Sequence, residues 1–264
     1  MIKSLSAMLK QDKERFEVPK SVQDAIPIRR IWPDGIFQVG NKFSKSIRFS
    51  DINYAIASKA DKTEMFLDYS ELLNALDTGA TTKITINNKR INKADFERSI
   101  LIPEKGDRMD SLRREYNDML LGKVTGTSNS VVQERYITVS VHKKNIDEAR
   151  IFFTRITNDI VTRLNHLDSH ADELDATERL HVLHDFYRVG EETHFRFNIL
   201  ETMKKGHSFK DYICPDSMEY KKDHFVMGSK YGRVLFLKEY ASYIKDSMIT
   251  ELCELNRNLM LSID

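Results

Sequence analysis

The residues best suited to chemistry in this sequence are its histidines. Five of the eight fall between positions 166 and 194: His166, His170, His181, His184 and His194. His166 and His170 are four apart, a spacing that places two ring nitrogens on one helix face. His181 and His184 are three apart. With Asp168, Asp172 or Asp185 such pairs have the ligand types of a zinc or manganese site. The pattern lacks a His-Glu-x-x-His run and has no nearby cysteine. Asp172, Glu173 and Asp175 place a polar loop between the pairs, so helix packing or solvent exposure is the simpler reading. Glu191-Glu192 are two carboxylates of the kind used in acid–base catalysis, but they follow Gly190 directly and read as a solvated turn.

Phosphate-binding signatures fail in detail. A phosphate loop needs Gly-x-x-x-x-Gly-Lys-Ser/Thr, so that backbone N–H groups wrap the phosphates and the lysine reaches them. Around Gly122-Lys123, position 117 is Asn and position 124 is Val. Gly228-Ser229-Lys230 precedes a strand pattern rather than a helix and reads as a turn. No Gly-x-Gly-x-x-Gly or Gly-x-Ser-x-Gly occurs, which removes the usual dinucleotide turn and nucleophile elbow. Lys204-Lys205 and Lys221-Lys222 are isolated basic pairs with acids close by, as expected of surface. Trp32 and Phe37 near Arg29 and Arg30 outline a base-stacking platform, but core packing beside a hairpin explains them more simply. Cys214 and Cys253 have no activating neighbours in sequence and read as buried, reduced thiols. No catalytic, nucleotide-binding or metal-binding residue is therefore assigned, and no cofactor is expected within the chain.

Bulk properties narrow the class further. Among 264 residues, 41% are hydrophobic and 31% charged, and 41 basic residues against 40 acidic ones leave a net charge of +1. That balance gives no global reason to seek a polyanion. The apolar fraction exceeds that of a disordered chain. The length fits one large or two small domains, at roughly 150 residues each. Two cysteines do not build a disulfide scaffold. No run of about 18 apolar residues occurs, so no spanning helix is expected. The expected location is the cytoplasm.

These residues must be positioned by alternating strands and helices. Residues 1–25 read as a mobile arm. Ile28-Arg29-Arg30-Ile31-Trp32, the turn Pro33-Asp34-Gly35, and Ile36-Phe37-Gln38-Val39 predict a hairpin, because Pro presets φ and Gly permits a positive one. A third strand is expected at residues 46–49. Asp61 with Glu64 predicts a helix start, Met65, Tyr69, Leu72, Leu73 and Leu76 its apolar stripe, and Gly79 its end. Alternation at residues 82–87 predicts a half-buried strand. Residues 92–121 read as two helical pieces broken near Pro103, the second with a stripe of Met109, Leu112, Tyr116 and Met119. Residues 122–130 read as a flexible loop between a first α+β unit, 26–121, and a second region, 131–264. In the latter, residues 136–142 predict a strand. Asn145 and Glu148 cap a long helix with the stripe Ile146, Ala149, Phe153, Ile156, Ile160, Leu164 and Leu167. Asp175 and Glu178 open another, carrying Leu180, Leu183 and Tyr187 and stopping at Gly190. Residues 198–210 read as helical, then irregular around Cys214. The closing segments read as a strand at 233–237, a helix at 243–256 and a strand at 259–263. The expectation is an α+β protein with mixed or antiparallel sheets, helices on one face, and ferredoxin-like halves. The final apolar strand suggests the boundary of a longer protein.

Several stretches resemble the amino-terminal region of the cytoplasmic ATPases that energise conjugative type IV secretion on Gram-positive mobile elements. They are Ile31-Trp32-Pro33-Asp34-Gly35-Ile36, the run Arg179-Leu180-His181-Val182-Leu183-His184-Asp185-Phe186-Tyr187-Arg188, and Arg233-Val234-Leu235-Phe236-Leu237-Lys238-Glu239-Tyr240 through Asn258-Leu259-Met260-Leu261-Ser262-Ile263. The resemblance implies an α/β domain that docks on membrane subunits of the secretion channel at the inner face of the membrane. It further implies a separate RecA-like motor that uses ATP and Mg²⁺ and self-associates as a hexamer. The motor motifs have no counterpart here, so no ATPase residue carries over. Two other classes compete: a nucleic-acid-binding accessory protein of a mobile element, with DNA contact through a local patch, and a metal-dependent hydrolase built on the histidines.

Overall fold

A computed structural model describes residues 19–52, 54, 56–76, 79–90, 101–126, 131–191, 194–239, 242–243 and 245–264. The described chain runs α1 (Val22–Ala25), β1 (Arg30–Ile31), β2 (Phe37–Val39), β3 (Lys42–Phe49), α2 (Lys59–Asn74), β4 (Ala80–Arg90) and α3 (Asp110–Gly126). It continues with β5 (Val131–His142), α4 (Ile146–His166), β6 (Ala171–Glu173), α5 (Ala176–Tyr187), α6 (Ile199–Lys205) and a 3₁₀ turn (Phe209–Tyr212). It closes with β7 (Met218–Tyr220), β8 (Phe225–Met227), β9 (Lys230–Gly232), α7 (Asp246–Cys253) and β10 (Leu259–Ile263). The expected α+β class is observed, with every described strand pair antiparallel.

The large sheet has the order β1-β2-β3-β5-β4-β10, with β6 also pairing to β3. Within it, β3-α2-β4-β5-α4-β6 gives the strand order β6-β3-β5-β4, the split β-α-β connectivity of a ferredoxin-like unit. The β1-β2 hairpin extends this unit along β3, and β10 caps the far edge along β4. β4 and β5 pair from Ala80↔Val141 to Arg90↔Val131, so strands from both sides of 122–130 share one sheet.

One face of that sheet is apolar because β3 and β5 alternate. Phe43, Ile47, Ile137, Val139 and Val141 point at α4, which returns Phe153, Ile156, Ile160 and Leu164; all are buried in one core. The stripe predicted for α4 is thus its packing face. Asn145 caps it by accepting from Glu148 N–H at 2.9 Å. Acidic Asp147 and Glu148 in its first turn and Arg163 and His166 in its last complement the helix dipole. Leu72 brings α2 to the same core, placing both crossover helices on one face. A buried lysine, Lys45, sits under α4 and is paired to Glu173, whose Oε1 lies 2.6 Å from Thr157 Oγ1.

The Trp-Pro-Asp-Gly turn joins this core to the rest. Gly35 N–H donates to Trp32 O at 3.0 Å, and Trp32 N–H to Ile36 O at 3.0 Å. Gly35 has φ +77°, and a Cβ there would stand 2.0 Å from Leu174 O. Both the backbone region and the close approach require glycine. Asp34 Oδ2 accepts from Arg150 Nε of α4 at 2.8 Å. A second cluster, Ile26, Ile28, Phe37, Ala176, Leu180, Ile213 and Cys214, packs α5 and the 3₁₀ turn against β2.

Several local expectations are corrected. The α2 capping box is formed by Ser58 and Asp61, not Asp61 and Glu64, and the helix stops at Asn74 rather than at Gly79. Residues 122–126 are the last turns of α3, not loop; residues 127–130, and the helical piece expected at 92–100, lie outside the described residues, as does most of the arm expected at 1–25. Residues 233–237 form no strand, so the closing β-α-β is not made; the strands in that region are the three-stranded meander β7-β8-β9. A short apolar run marked 233–237 as a strand, but a strand needs a hydrogen-bonding neighbour, and no described strand pairs with it.

Candidate functional site

The other face of the large sheet is lined with hydroxyls. In β3 and β5 the residues between the apolar ones are Ser44, Ser46, Tyr136 and Thr138, and β4 and β10 add Thr85 and Ser262 through the register Thr85↔Ser262. Ser46 Oγ and Thr138 Oγ1 are 2.7 Å apart across β3 and β5; Thr85 Oγ1 and Ser262 Oγ are 3.2 Å apart across β4 and β10. These pairs satisfy one another along the sheet, a normal cross-strand arrangement. A polar sheet face usually meets solvent. Here α5 crosses it and leaves a cavity of about 280 Å³ whose floor is this hydroxyl stripe.

Arg179, in the first turns of α5, lines the cavity and anchors the helix. Its capping box is the expected one: Asp175 Oδ1 accepts from Glu178 N–H at 2.8 Å and Glu178 Oε2 from Asp175 N–H at 3.0 Å. Arg179 Nη1 donates to Gly35 O and Ser44 O, both at 2.7 Å, and Nη2 to Ser44 Oγ at 3.1 Å. Its guanidinium lies 4.1 Å from the Phe37 ring centroid, a cation–π contact. Burial pushes its pKa down to about 9, so it stays charged at neutral pH. Arg179 is half-buried and is one of the residues that line the cavity.

At the other end of α5 the same sheet face carries an ionic cluster. Lys89 Nζ of β4 is 2.9 Å from Glu134 Oε2 and 2.8 Å from Asp185 Oδ2. Tyr136 OH donates to Glu134 Oε2 at 2.7 Å. Burial works to raise both carboxyl groups, but hydrogen bonds and the Lys89 charge hold them below their ordinary values. Burial works against the Lys89 ammonium, and its two carboxylates outweigh that and raise its pKa. Burial, then Glu134, pushes the Tyr136 phenol far up, so it serves as a neutral donor and not as a base.

The sequence candidates fall elsewhere or into packing roles. His184 is buried against Phe195, with ring centroids 5.1 Å apart, and His181 stacks on the same ring at 4.9 Å. Asp185, considered as a metal partner, is engaged by Lys89. His170 Nε2 lies 3.0 Å from Asp172 Oδ2 on the surface. Among the described residues no three His, Cys, Asp or Glu side chains converge on one point. Glu191 accepts from Arg188 Nε at 2.7 Å, while Glu192 lies outside the described residues. Lys204 and Lys205 occupy the last turn of α6, and Lys221 pairs with Glu219 at 2.9 Å. Gly122 and Lys123 are within α3, and Gly228-Ser229 is the turn between β8 and β9. Trp32 packs against Phe43 with centroids 5.9 Å apart, and Phe37 is buried under Arg179, so neither forms a platform with the exposed Arg29 and Arg30. Burial raises both thiols, Cys214 and Cys253. Sequence reading missed Arg179. The available signal was a cation at the i−4 position of Leu183, on the apolar face of its own helix.

A second kind of surface is apolar and open. Val234, Leu235, Phe236 and Leu237 are 77%, 83%, 84% and 70% exposed. The apolar stripe of Met109, Leu112, Tyr116 and Met119, at the start of α3 and along it, is exposed as well. No described helix is long and apolar enough to cross a membrane. No protein-family model matches the chain, and no curated protein sequence matches it.

Proposed function

We propose that this chain is a docking and assembly domain, of the amino-terminal type found in conjugative type IV secretion ATPases. The observation that carries the reading is the run at 234–237: four consecutive apolar side chains held out of the core in a chain that has a well-filled one. Contiguous exposed apolar surface of this kind marks protein interaction sites. The exposed α3 stripe, at helical spacing, adds a second surface suited to a partner helix or strand. The resemblance supplies the partner class, membrane subunits of the secretion channel. Two of its three stretches are structural, since the Trp-Pro-Asp-Gly turn and α5 hold the two core clusters together, and the third contains the exposed run itself. In this role the chain couples a motor to the channel by surface contact, and ATP and Mg²⁺ chemistry belongs to the motor.

Co-purification with the short membrane subunits of the same element tests the reading. Binding should survive in wild type and be lost in Phe236→Asp. Failure of every membrane subunit to bind, or specific ATP hydrolysis by this chain alone with Mg²⁺, overturns it. A DNA affinity falling steeply with salt would favour the nucleic-acid alternative instead.

A further inference from the structure

We infer that the cavity between α5 and the sheet binds a small organic monocarboxylate, with its carboxylate on Arg179 and its apolar body against Leu183, Val182 and Met260. The inference rests on the cavity and on a lining cation, Arg179, that no carboxylate of the described residues pairs with, and does not depend on the docking role.

Three of the five Arg179 N–H donors are used, two from Nη1 and one from Nη2. Nε–H and one Nη2–H remain without a protein acceptor among the described residues. Nε and Nη2 share an edge of the planar guanidinium, the edge that takes both oxygens of a carboxylate. No carboxylate of the described chain offsets its charge: burial alone perturbs it. A cation enclosed without a counter-charge is costly, and a ligand carboxylate would supply the missing partner.

The remainder of the lining selects the ligand body and its charge. Lys83, the other cation at the cavity, is already paired to Asp264 at 3.3 Å, which leaves a single positive charge to satisfy and favours a monoanion over phosphate. The floor hydroxyls of Ser46, Thr138, Thr85 and Ser262 bond one another and ask little of a ligand. Leu183, Val182 and Met260 supply apolar wall. A volume of about 280 Å³ lies near the lower end of small-molecule sites, roughly 300–1,000 Å³, and suits an acid of hexanoate size.

Calorimetric titration of the full chain at pH 7 with hexanoate, 1-hexanol and inorganic phosphate tests this. Hexanoate should bind at one site, and hexanol and phosphate at least about tenfold more weakly. Arg179→Lys, which keeps charge but loses the fork, should weaken hexanoate about tenfold and leave hexanol unchanged. Ser262→Phe, which puts a ring at the exposed end of the floor stripe, should weaken both. No hexanoate binding up to about 10 mM, hexanol binding as tightly, or phosphate binding more tightly each overturns the inference. If Arg179→Lys fails to fold by circular dichroism, Ser262→Phe decides: undiminished hexanoate binding there rejects the site.

Discussion

Lys89 and Asp185 meet at 2.8 Å, joining the carboxy-terminal end of β4 to the carboxy-terminal half of α5. Their side chains are 27% and 10% exposed, so the pair is largely withdrawn from water. Glu134 shares the same ammonium at 2.9 Å. Lys89→Met removes the cation and leaves two enclosed carboxylates side by side. The expected loss is about 2 kcal/mol, below a fully buried pair because both groups keep some solvent. A urea titration measures it, and an unchanged midpoint would show that the cluster contributes nothing to holding α5.

The same groups set the acid limit of stability. Asp185, Glu134 and Glu173 all have folded pKa values below their ordinary 3.8 or 4.5. A depressed carboxyl pKa contributes stability that is present above the unfolded value and lost as pH falls through the folded one. Stability should therefore be level near neutrality and decline below the ordinary carboxylate values. Lys89 acts in the opposite sense: its raised pKa contributes stability below 10.5 that is lost as pH rises through the folded value. Thermal melts across the acid range check the first, and Lys89→Met should flatten the acid decline.

Gly35→Ala should be severe. The substitution forces a side chain into φ +77° and against Leu174 O. Backbone strain and displacement of the β6–α5 segment together predict a loss of about 3 kcal/mol or more. Gly40, with φ +58° and open space where a Cβ would stand, is the control and should lose only the strain contribution, about 1 kcal/mol. Equal losses at the two sites would mean that the contact with Leu174 is unimportant.

Polar substitution in the exposed run should separate folding from association. Leu235→Ser with Phe236→Ser removes apolar surface that is 83% and 84% exposed. Unfolding free energy should change by no more than about 0.5 kcal/mol. Light scattering should show less self-association at high concentration. A large loss of stability would place these residues in a core instead.

Capping of α4 offers a local test of sequence logic. Asn145→Ala deletes the acceptor for Glu148 N–H and should cost about 1 kcal/mol. Asn145→Asp should retain the cap, which denaturation of the two variants side by side will show.

Local patterns determined much of this protein. The stripe of α4, the capping box of α5, the Pro-Asp-Gly turn and the alternation of β4 and β5 follow from periodicities of 3.6 and 2 and from the φ preferences of proline and glycine. These act within a few residues and so are written in order along the chain. Closing strand 259–263 was equally legible, because its apolar run matched a strand that the sheet could accept. Run 233–237 carried the same signal without a neighbour, and no local rule distinguishes the two.

Tertiary structure alone decided the site. Ser44, Thr85, Thr138 and Ser262 lie on four strands far apart in sequence, and only the register across β3, β5, β4 and β10 sets them in one stripe. Alternation predicts a polar face but not whether water or a helix covers it. Arg179 acquires its meaning from Gly35, Phe37 and Ser44, none of them on its own helix. The histidines drew attention because they are close in sequence, whereas the enclosed cation and the cavity arise from long-range packing, which spacing along a chain does not encode.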